Sequence, residues 1–234
     1  MTMNKDLKRR LTAEFTGTYI LVFAGCGAII VDALTGSLGH TGIALTFGFT
    51  VTALIYTFGH ISGAHFNPAV TISFVAFKEF NKKDLLSYIA AQVSGAVLAS
   101  FTLFVLFIEE IKSPSQLAFY GATLPRGSVY QSFLFEIILT FILMFVIYGS
   151  AVHGKAVKSF AGLAIGLTVA VEAMFAGPIS GASMNPARSI APALLSGNLD
   201  HLWIYIFAPV LGSLLAGIIF ITTQKCRTKE ECCM

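Results

Sequence analysis

Hydrophobic positions in this chain form long runs, and the charged positions lie almost entirely between them. Six runs are each close to the length of about 20 residues that a helix needs to cross the hydrocarbon of a bilayer. They are Leu11–Val31, Ile43–His60, Leu85–Ile108, Val129–Val152, Phe160–Ala176 and Leu202–Thr223. The first run is too long, and too regularly followed by others, to be a removable signal peptide. The pattern therefore predicts six transmembrane helices.

The composition agrees with this pattern. Hydrophobic residues make up 56% of the 234 residues and charged residues only 12%, and the mean hydropathy is +0.79. A soluble domain carries about 25% charged residues on average. We therefore expect a single-domain, all-α membrane protein.

Lysine and arginine are distributed unequally between the two sides of the predicted spans. Twelve lie on the side of the N-terminus: Lys5, Lys8, Arg9, Arg10, Lys78, Lys82, Lys83, Lys155, Lys158, Lys225, Arg227 and Lys229. Only Lys112 and Arg126 lie on the other side, and Arg188 stands apart inside an apolar stretch. Because cytoplasmic loops are enriched in basic residues, both termini are predicted to be cytoplasmic. The expected location is the plasma (inner) membrane. The net charge of +3 thus reflects topology and indicates no nucleic-acid partner.

One eight-residue segment occurs twice. Ser62–Ala69 reads SGAHFNPA and Ser180–Ala187 reads SGASMNPA. Asn followed by Pro starts a helix, because the Asn side chain caps it and Pro is tolerated at the first helical position. The stretches from Asn67 to Phe77 and from Asn185 to Ser196 would each span about 16 Å, roughly half the membrane. We therefore expect two half-helices that begin inside the bilayer.

Further features repeat at similar spacing. Glu14 in the first span matches Glu136 in the fourth, and small residues in the third span match small residues in the sixth. The chain is thus expected to contain two repeats, residues 1–112 and 129–234. Since each has three spans, the second would be inverted, and the positive N-terminal ends of the half-helices would meet at the membrane centre.

The backbone before each half-helix is expected to line a water-filled path, since non-helical backbone survives at membrane depth only where it is buried or wet. Its carbonyl groups belong to Gly63, Ala64, His65, Phe66, Gly181, Ala182, Ser183 and Met184. Asn67 and Asn185 would add amide donors at the meeting point, where the helix ends disfavour cations and protons. This chemistry favours small neutral molecules over ions.

The segments HISGAHFNPAVT and PISGASMNPARS resemble the signature loops of the aquaporin, or major intrinsic protein, family. The likeness covers nearly the whole chain and is greatest to bacterial channels near the nodulin-like branch. It implies an aquaporin-like right-handed bundle of six transmembrane helices with two re-entrant half-helices, assembled as a homotetramer with one pore per subunit. The pore motifs would be Asn67-Pro68-Ala69 and Asn185-Pro186-Ala187, with no cofactor or metal.

The same resemblance places a selectivity filter at Phe47, Ala173, Ala182 and Arg188. Water-selective members usually carry His at the position of Ala173, so the ring here is expected to be wider and less polar. Ser189, however, stands where glycerol facilitators usually carry Asp. We expect a water channel with a relaxed filter that also passes glycerol, ammonia or hydrogen peroxide. The alternative is a facilitator mainly for glycerol and other small uncharged solutes.

Several polar residues allow two interpretations. Glu14 and Glu136 are expected to accept hydrogen bonds from the re-entrant backbone, although proton coupling in a transporter is the alternative. Arg188 either forms the filter or only bonds loop carbonyls. Glu172 either tunes solute choice or pairs with a polar group between helices. His65 either ties the loop together or titrates as a gate.

The four cysteines are not expected to form disulfides. Cys26 lies in a span and Cys226, Cys232 and Cys233 in a cytoplasmic tail, so free thiols are expected, with palmitoylation of the last two as an alternative.

An intramembrane enzyme is disfavoured because no HExxH motif or Ser-His pair occurs within a span. An ion-coupled secondary transporter is the stronger alternative, since inverted repeats are typical of it too.

Overall fold

A computed structural model of the chain describes residues 5–110 and 121–224. These residues form α1 Lys5–Thr35, α2 Gly39–Ser62, α3 Pro68–Ala76, α4 Leu85–Leu106, α5 Val129–Ile147, α6 Ala161–Ser180, α7 Pro186–Ser196 and α8 Leu202–Thr223. Turns of 3₁₀ helix at Lys82–Asp84 and Lys158–Phe160 precede α4 and α6, and a π-helical turn at Tyr148–Val152 extends α5. Some residues used in the sequence analysis lie outside the described residues. They are the basic residues Lys112, Lys225, Arg227 and Lys229 and the cysteines Cys226, Cys232 and Cys233.

Within the described part of the chain, six helices are long and apolar enough to cross a membrane: α1, α2, α4, α5, α6 and α8. The prediction of six spans is therefore confirmed. α1 runs beyond the predicted Leu11–Val31 at both ends, because polar residues continue the same helix past its apolar stretch. Large apolar side chains such as Phe49, Ile138 and Phe207 are exposed on the outside of the bundle, as a membrane-facing surface requires.

Small residues allow the helices of each half to approach closely. A Cβ atom added at Gly95 of α4 would lie 2.2 Å from the Phe15 carbonyl oxygen in α1. The equivalent atom at Gly212 of α8 would lie 2.2 Å from the Ile137 carbonyl oxygen in α5. Such backbone-to-backbone crossings are the usual packing of membrane helices. The two halves therefore use the same crossing at matching positions.

The two half-helices begin at the predicted asparagines. Asn67 and Asn185 have extended backbone, with φ of −152° and −148°, and each side-chain oxygen accepts a hydrogen bond from the second residue that follows it. Pro68 and Pro186 occupy the first helical position. Gly197, with φ of +73°, ends α7. Both half-helices are thus formed as expected, and both are short.

Each half-helix packs on a helix of the other half of the chain. α3 contacts α8, where the Ser73 hydroxyl donates to the Ser213 carbonyl at 2.9 Å and the Ser213 hydroxyl donates to the Ala69 carbonyl at 3.1 Å. α7 contacts α4, and α2 and α6 pack closely together. The halves are therefore interleaved around one centre, where the two half-helices meet.

Candidate pore

Two adjoining cavities lie along the axis of the bundle. The central one, about 120 Å³, is bordered by Asn67, Asn185 and all the predicted carbonyl residues except Gly181. The second, which we call the outer cavity, has a volume of about 670 Å³, and Gly181 borders it. Phe47, Ala173, Ala182 and Arg188 border both cavities. The four predicted filter residues therefore lie together at the junction between the two.

The central cavity has two unlike walls. One consists of the re-entrant segments at residues 63–67 and 182–185. The opposite wall is apolar and includes Leu21, Val51, Leu143, Ile147 and Val169, contributed by four transmembrane helices. A molecule inside would thus contact both the hydrogen-bonding groups of the re-entrant segments and the apolar side chains of the spans. That arrangement orients a chain of small polar molecules without surrounding any of them.

The two asparagines join the re-entrant segments to each other. Asn67 Nδ2 donates to the Met184 carbonyl at 2.7 Å, and Asn185 Nδ2 donates to the Phe66 carbonyl at 2.8 Å. Each amide nitrogen has two N–H groups, so one on each side chain is used in this link. The predicted pore amides and carbonyls thus also link the two re-entrant segments to each other.

The re-entrant backbone adopts the same unusual conformation twice. Gly63 and Gly181 have φ near +88° and +89°. The non-glycine residues in the left-handed region at the matching positions are Ala64, Phe66, Ala182 and Met184. Such a conformation costs about 1–2 kcal/mol for a residue with a side chain, so the surroundings must hold it in place.

Two buried carboxylates hold these strained segments. Glu14 accepts hydrogen bonds from the backbone N–H of His65 at 3.0 Å and of Phe66 at 2.7 Å. Glu136 accepts from the N–H of Ser183 at 2.9 Å and of Met184 at 2.8 Å. Both side chains are fully buried. A serine hydroxyl at the end of the helix that precedes each re-entrant segment also donates to the carboxylate that holds this segment. These contacts support the scaffold interpretation of both glutamates.

Sequence reasoning missed further contacts that hold the segments. Tyr88 donates to the Ser62 carbonyl at 3.0 Å, and Tyr205 donates to the Ser180 carbonyl at 2.7 Å. The two tyrosines were detectable, because they occur at the spacing that relates the third and sixth spans. Thr123, which donates to the Ser189 hydroxyl at 2.7 Å, has no such signal.

The His65 side chain forms a hydrogen bond with the half-helix α3, which follows its loop. Its Nδ1 lies 3.1 Å from the Thr71 hydroxyl, which donates to the Asn67 carbonyl and accepts from Gln92. Since that hydroxyl proton is used, His65 Nδ1 carries the proton of this hydrogen bond. The ring packs against three aromatic side chains, those of Phe74, Phe80 and Tyr88. This surrounding favours the role of a loop tie over that of a gate.

The contacts of Arg188 agree with both of its predicted roles. Its side chain borders both cavities, and its guanidinium carbon lies 5.2 Å from the centre of the Phe47 ring. Its Nη1 donates to the Gly121 carbonyl, in the segment that connects the two halves. The loop carbonyl thus holds one end of the guanidinium beside the two cavities.

Glu172 does not have the polar partner that one interpretation predicts for it. It is 2% exposed, and neither carboxyl oxygen has a hydrogen-bond partner among residues 5–110 and 121–224. Pairing with a polar group between helices is therefore not seen in the described structure. A buried carboxyl group in this situation is costly, which makes Glu172 an informative site for substitution.

Two half-helices that meet end to end inside a bundle of six spans define a membrane channel with an inverted repeat. The family model of the major intrinsic protein (MIP) family matches residues 1–220, and the chain belongs to that family. The family resemblance read from the two loop segments is thus confirmed.

Known proteins similar to this chain include plant channels of the nodulin-like group. A putative aquaporin NIP4-1 of Arabidopsis thaliana is 47% identical over 215 residues, covering 92% of this chain and 74% of that protein. Nodulin-26 of Glycine max is 44% identical over 213 residues, covering 91% and 76%. Among solved structures, the aquaglyceroporin of Plasmodium falciparum has a TM-score of 0.84 and 29% identity, covering 93% of this chain and 96% of that one.

Proposed function

We infer that this protein is a passive channel for water and small neutral solutes. The observation that carries this inference is the central cavity, whose lining combines the hydrogen-bonding re-entrant segments, including the two pore asparagines, with apolar side chains of the spans. Water passing in single file can donate to the carbonyls and accept from the amides, so losing its neighbours costs little. The described residues that border this cavity include no Asp or Glu.

The same geometry supports the exclusion of cations and protons. The N-terminal ends of α3 and α7 both face the centre, and each carries the equivalent of about half a positive charge. Arg188 adds a full charge at the junction of the two cavities. We therefore propose that ions are rejected and that flux needs no ion gradient, in contrast to a secondary transporter.

The absence of a polar side chain at position 173 supports a permissive filter. Ala173 contributes a methyl group to the junction, whereas an imidazole there would narrow it. Glycerol, ammonia and hydrogen peroxide are accordingly proposed as further permeants. A channel mainly for glycerol is the second candidate, and the likeness to an aquaglyceroporin structure favours it.

The assembly and location of the channel are also proposed. The exposed apolar surface of the bundle supports contacts with lipid and with further copies in a homotetramer. The distribution of basic residues supports cytoplasmic termini, and the proposed location is the plasma (inner) membrane.

An osmotic assay on purified protein in liposomes tests the proposed function. The liposomes should shrink faster than empty ones with a low activation energy, and Arg188→Val should change the flux. Arg126→Val is the matched control, since Arg126 borders only the outer cavity. Asn185→Asp, which places a negative charge between the positive helix ends, should admit cations. Water flux equal to that of empty liposomes, or flux that requires an ion gradient, would refute the channel.

A further inference from the structure

His40 occupies the outer cavity directly beside the filter. It is the second residue of α2, and its exposed ring borders the cavity together with Phe47, Ala173 and Arg188. Its Nε2 lies 3.0 Å from the Ala173 carbonyl oxygen and 2.9 Å from the Met174 carbonyl oxygen. Because both partners are acceptors, Nε2 carries a proton and donates to both.

The sequence of α6 prepares this position for an imidazole. Pro178 lies inside the helix and has no N–H, so the carbonyl four residues earlier, that of Met174, loses its helical donor. Gly177 provides the space, because a Cβ atom added there would lie 2.6 Å from His40 Cε1. α6 therefore presents the Met174 carbonyl without its helical donor, and a recess at Gly177, on the side of the cavity. The His40 ring fills the recess and donates to that carbonyl.

The turn before α2 holds His40 in place. Asp32 Oδ1 accepts hydrogen bonds from the backbone N–H of Leu38 at 3.0 Å and of Gly39 at 2.7 Å. Gly39 directly precedes His40, so the hydrogen bonds to Asp32 at the end of α1 fix the backbone from which the His40 ring extends. A ring fixed at its backbone and at Nε2 forms a firm part of the cavity wall.

We propose that His40 is a specificity-determining residue of this channel, which supplies at the pore mouth the imidazole that position 173 lacks. It narrows the entrance to the filter, and it covers two carbonyl groups that would otherwise accept hydrogen bonds from a polyol. Larger hydroxylated solutes are thereby disfavoured relative to water. This inference rests on the proposed function, since it concerns the solutes that the same pore admits.

Solute permeability ratios in liposomes test the proposal. In His40→Ala, the glycerol-to-water permeability ratio should rise by about tenfold, the scale on which a small change in pocket size discriminates between substrates. His40→Gln keeps side-chain length and an N–H donor, so its ratio should stay within about twofold of the parent, far below the effect of truncation. His60→Ala, at the other end of the same helix, should leave the ratio unchanged.

The permeability ratio separates a role in specificity from a purely structural role of the hydrogen bonds between His40 and α6. If these bonds only stabilised the fold, their loss would lower the amount of folded channel. Both permeabilities would then fall together, and their ratio would stay the same. His40→Ser is a second truncation for the case in which His40→Ala does not reconstitute. An unchanged ratio in the truncated variants, or a ratio in His40→Gln as high as theirs, would overturn the proposal. If the parent itself conducts no water, the proposed function fails and not only the role of His40.

Discussion

At the scale of single residues, chemically identical side chains have opposite effects because their surroundings differ. Glu136 satisfies two backbone N–H groups of a strained segment, whereas Glu172, similarly buried, has no hydrogen-bond partner in the described residues. The repeat sets Glu136 apart, because it matches Glu14. Only the arrangement of neighbouring donors shows that Glu172 lacks a hydrogen-bond partner in the described residues.

We predict that Glu136→Leu strongly destabilises the protein, because it leaves the N–H groups of Ser183 and Met184 buried without an acceptor. Each such group costs about 1–3 kcal/mol. Glu172→Leu is the matched control and should be neutral or stabilising, since it removes a buried carboxyl that has no hydrogen-bond partner among the described residues. Thermal unfolding of the detergent-solubilised variants measures both effects. Equal destabilisation by the two substitutions would contradict this account.

We also predict that Ala173→His reduces glycerol permeability more than water permeability. The imidazole fills space at the junction of the cavities and adds a polar group beside Arg188. One small group in such a constriction changes discrimination by about tenfold or more. Stopped-flow shrinkage and re-swelling of liposomes in glycerol gradients give both values. A parent protein without glycerol flux would show that the filter is not relaxed.

At the scale of elements, the close crossing of helices depends on positions where no side chain fits. α4 crosses α1 at Gly95, and α8 crosses α5 at Gly212, each against a backbone carbonyl. Both crossings hold the carboxylate-bearing helices α1 and α5 in register with the segments that Glu14 and Glu136 support. Helix packing and pore geometry are therefore coupled.

Gly95→Ala and Gly212→Ala should accordingly lower stability by about 1–3 kcal/mol, the usual cost of overpacking. Gly149→Ala is the control, because a Cβ atom there meets nothing within 4 Å. The apparent melting temperature in detergent is the readout. Tolerance of alanine at both crossings, with unchanged melting temperature, would show that the helices can move apart freely.

At the scale of the whole molecule, the two halves build one pore only because they are interleaved. α3 packs on α8 and α7 on α4, and each asparagine donates to the segment of the opposite half. Each half contributes part of the polar lining and part of the apolar lining of the central cavity, so neither half alone completes it. The inverted arrangement thus brings two short helices to one point.

The proposed orientation can be checked with single cysteines and a membrane-impermeant maleimide, in a variant whose tail cysteines are replaced by serine. Leu199→Cys, between α7 and α8, should be labelled from outside intact cells. Lys82→Cys, before α4, should react only after the membrane is opened. Both parent side chains are exposed, so access depends on the side alone. Labelling of position 82 in intact cells would reverse the assignment.

The sequence by itself determined the spans, the two half-helices and the residues at the pore centre. Each of these depends on local chemistry: the length of an apolar run, an Asn-Pro helix start, or a motif that occurs twice. The predicted boundaries of α4 and α8 agree with the structure to within two residues. Spacing alone could also have identified Tyr88 and Tyr205.

Only the tertiary structure decided which long-range contacts complete the pore. The hydrogen bond of Arg188 to the Gly121 carbonyl and the contact of His40 with the Ala173 carbonyl both join residues that are far apart in sequence. No periodicity encodes such pairs, because a helix pattern defines which face is apolar and not which neighbour that face meets. Because α2 packs against α6, the imidazole of His40 lies beside Ala173, whose own side chain is only a methyl group.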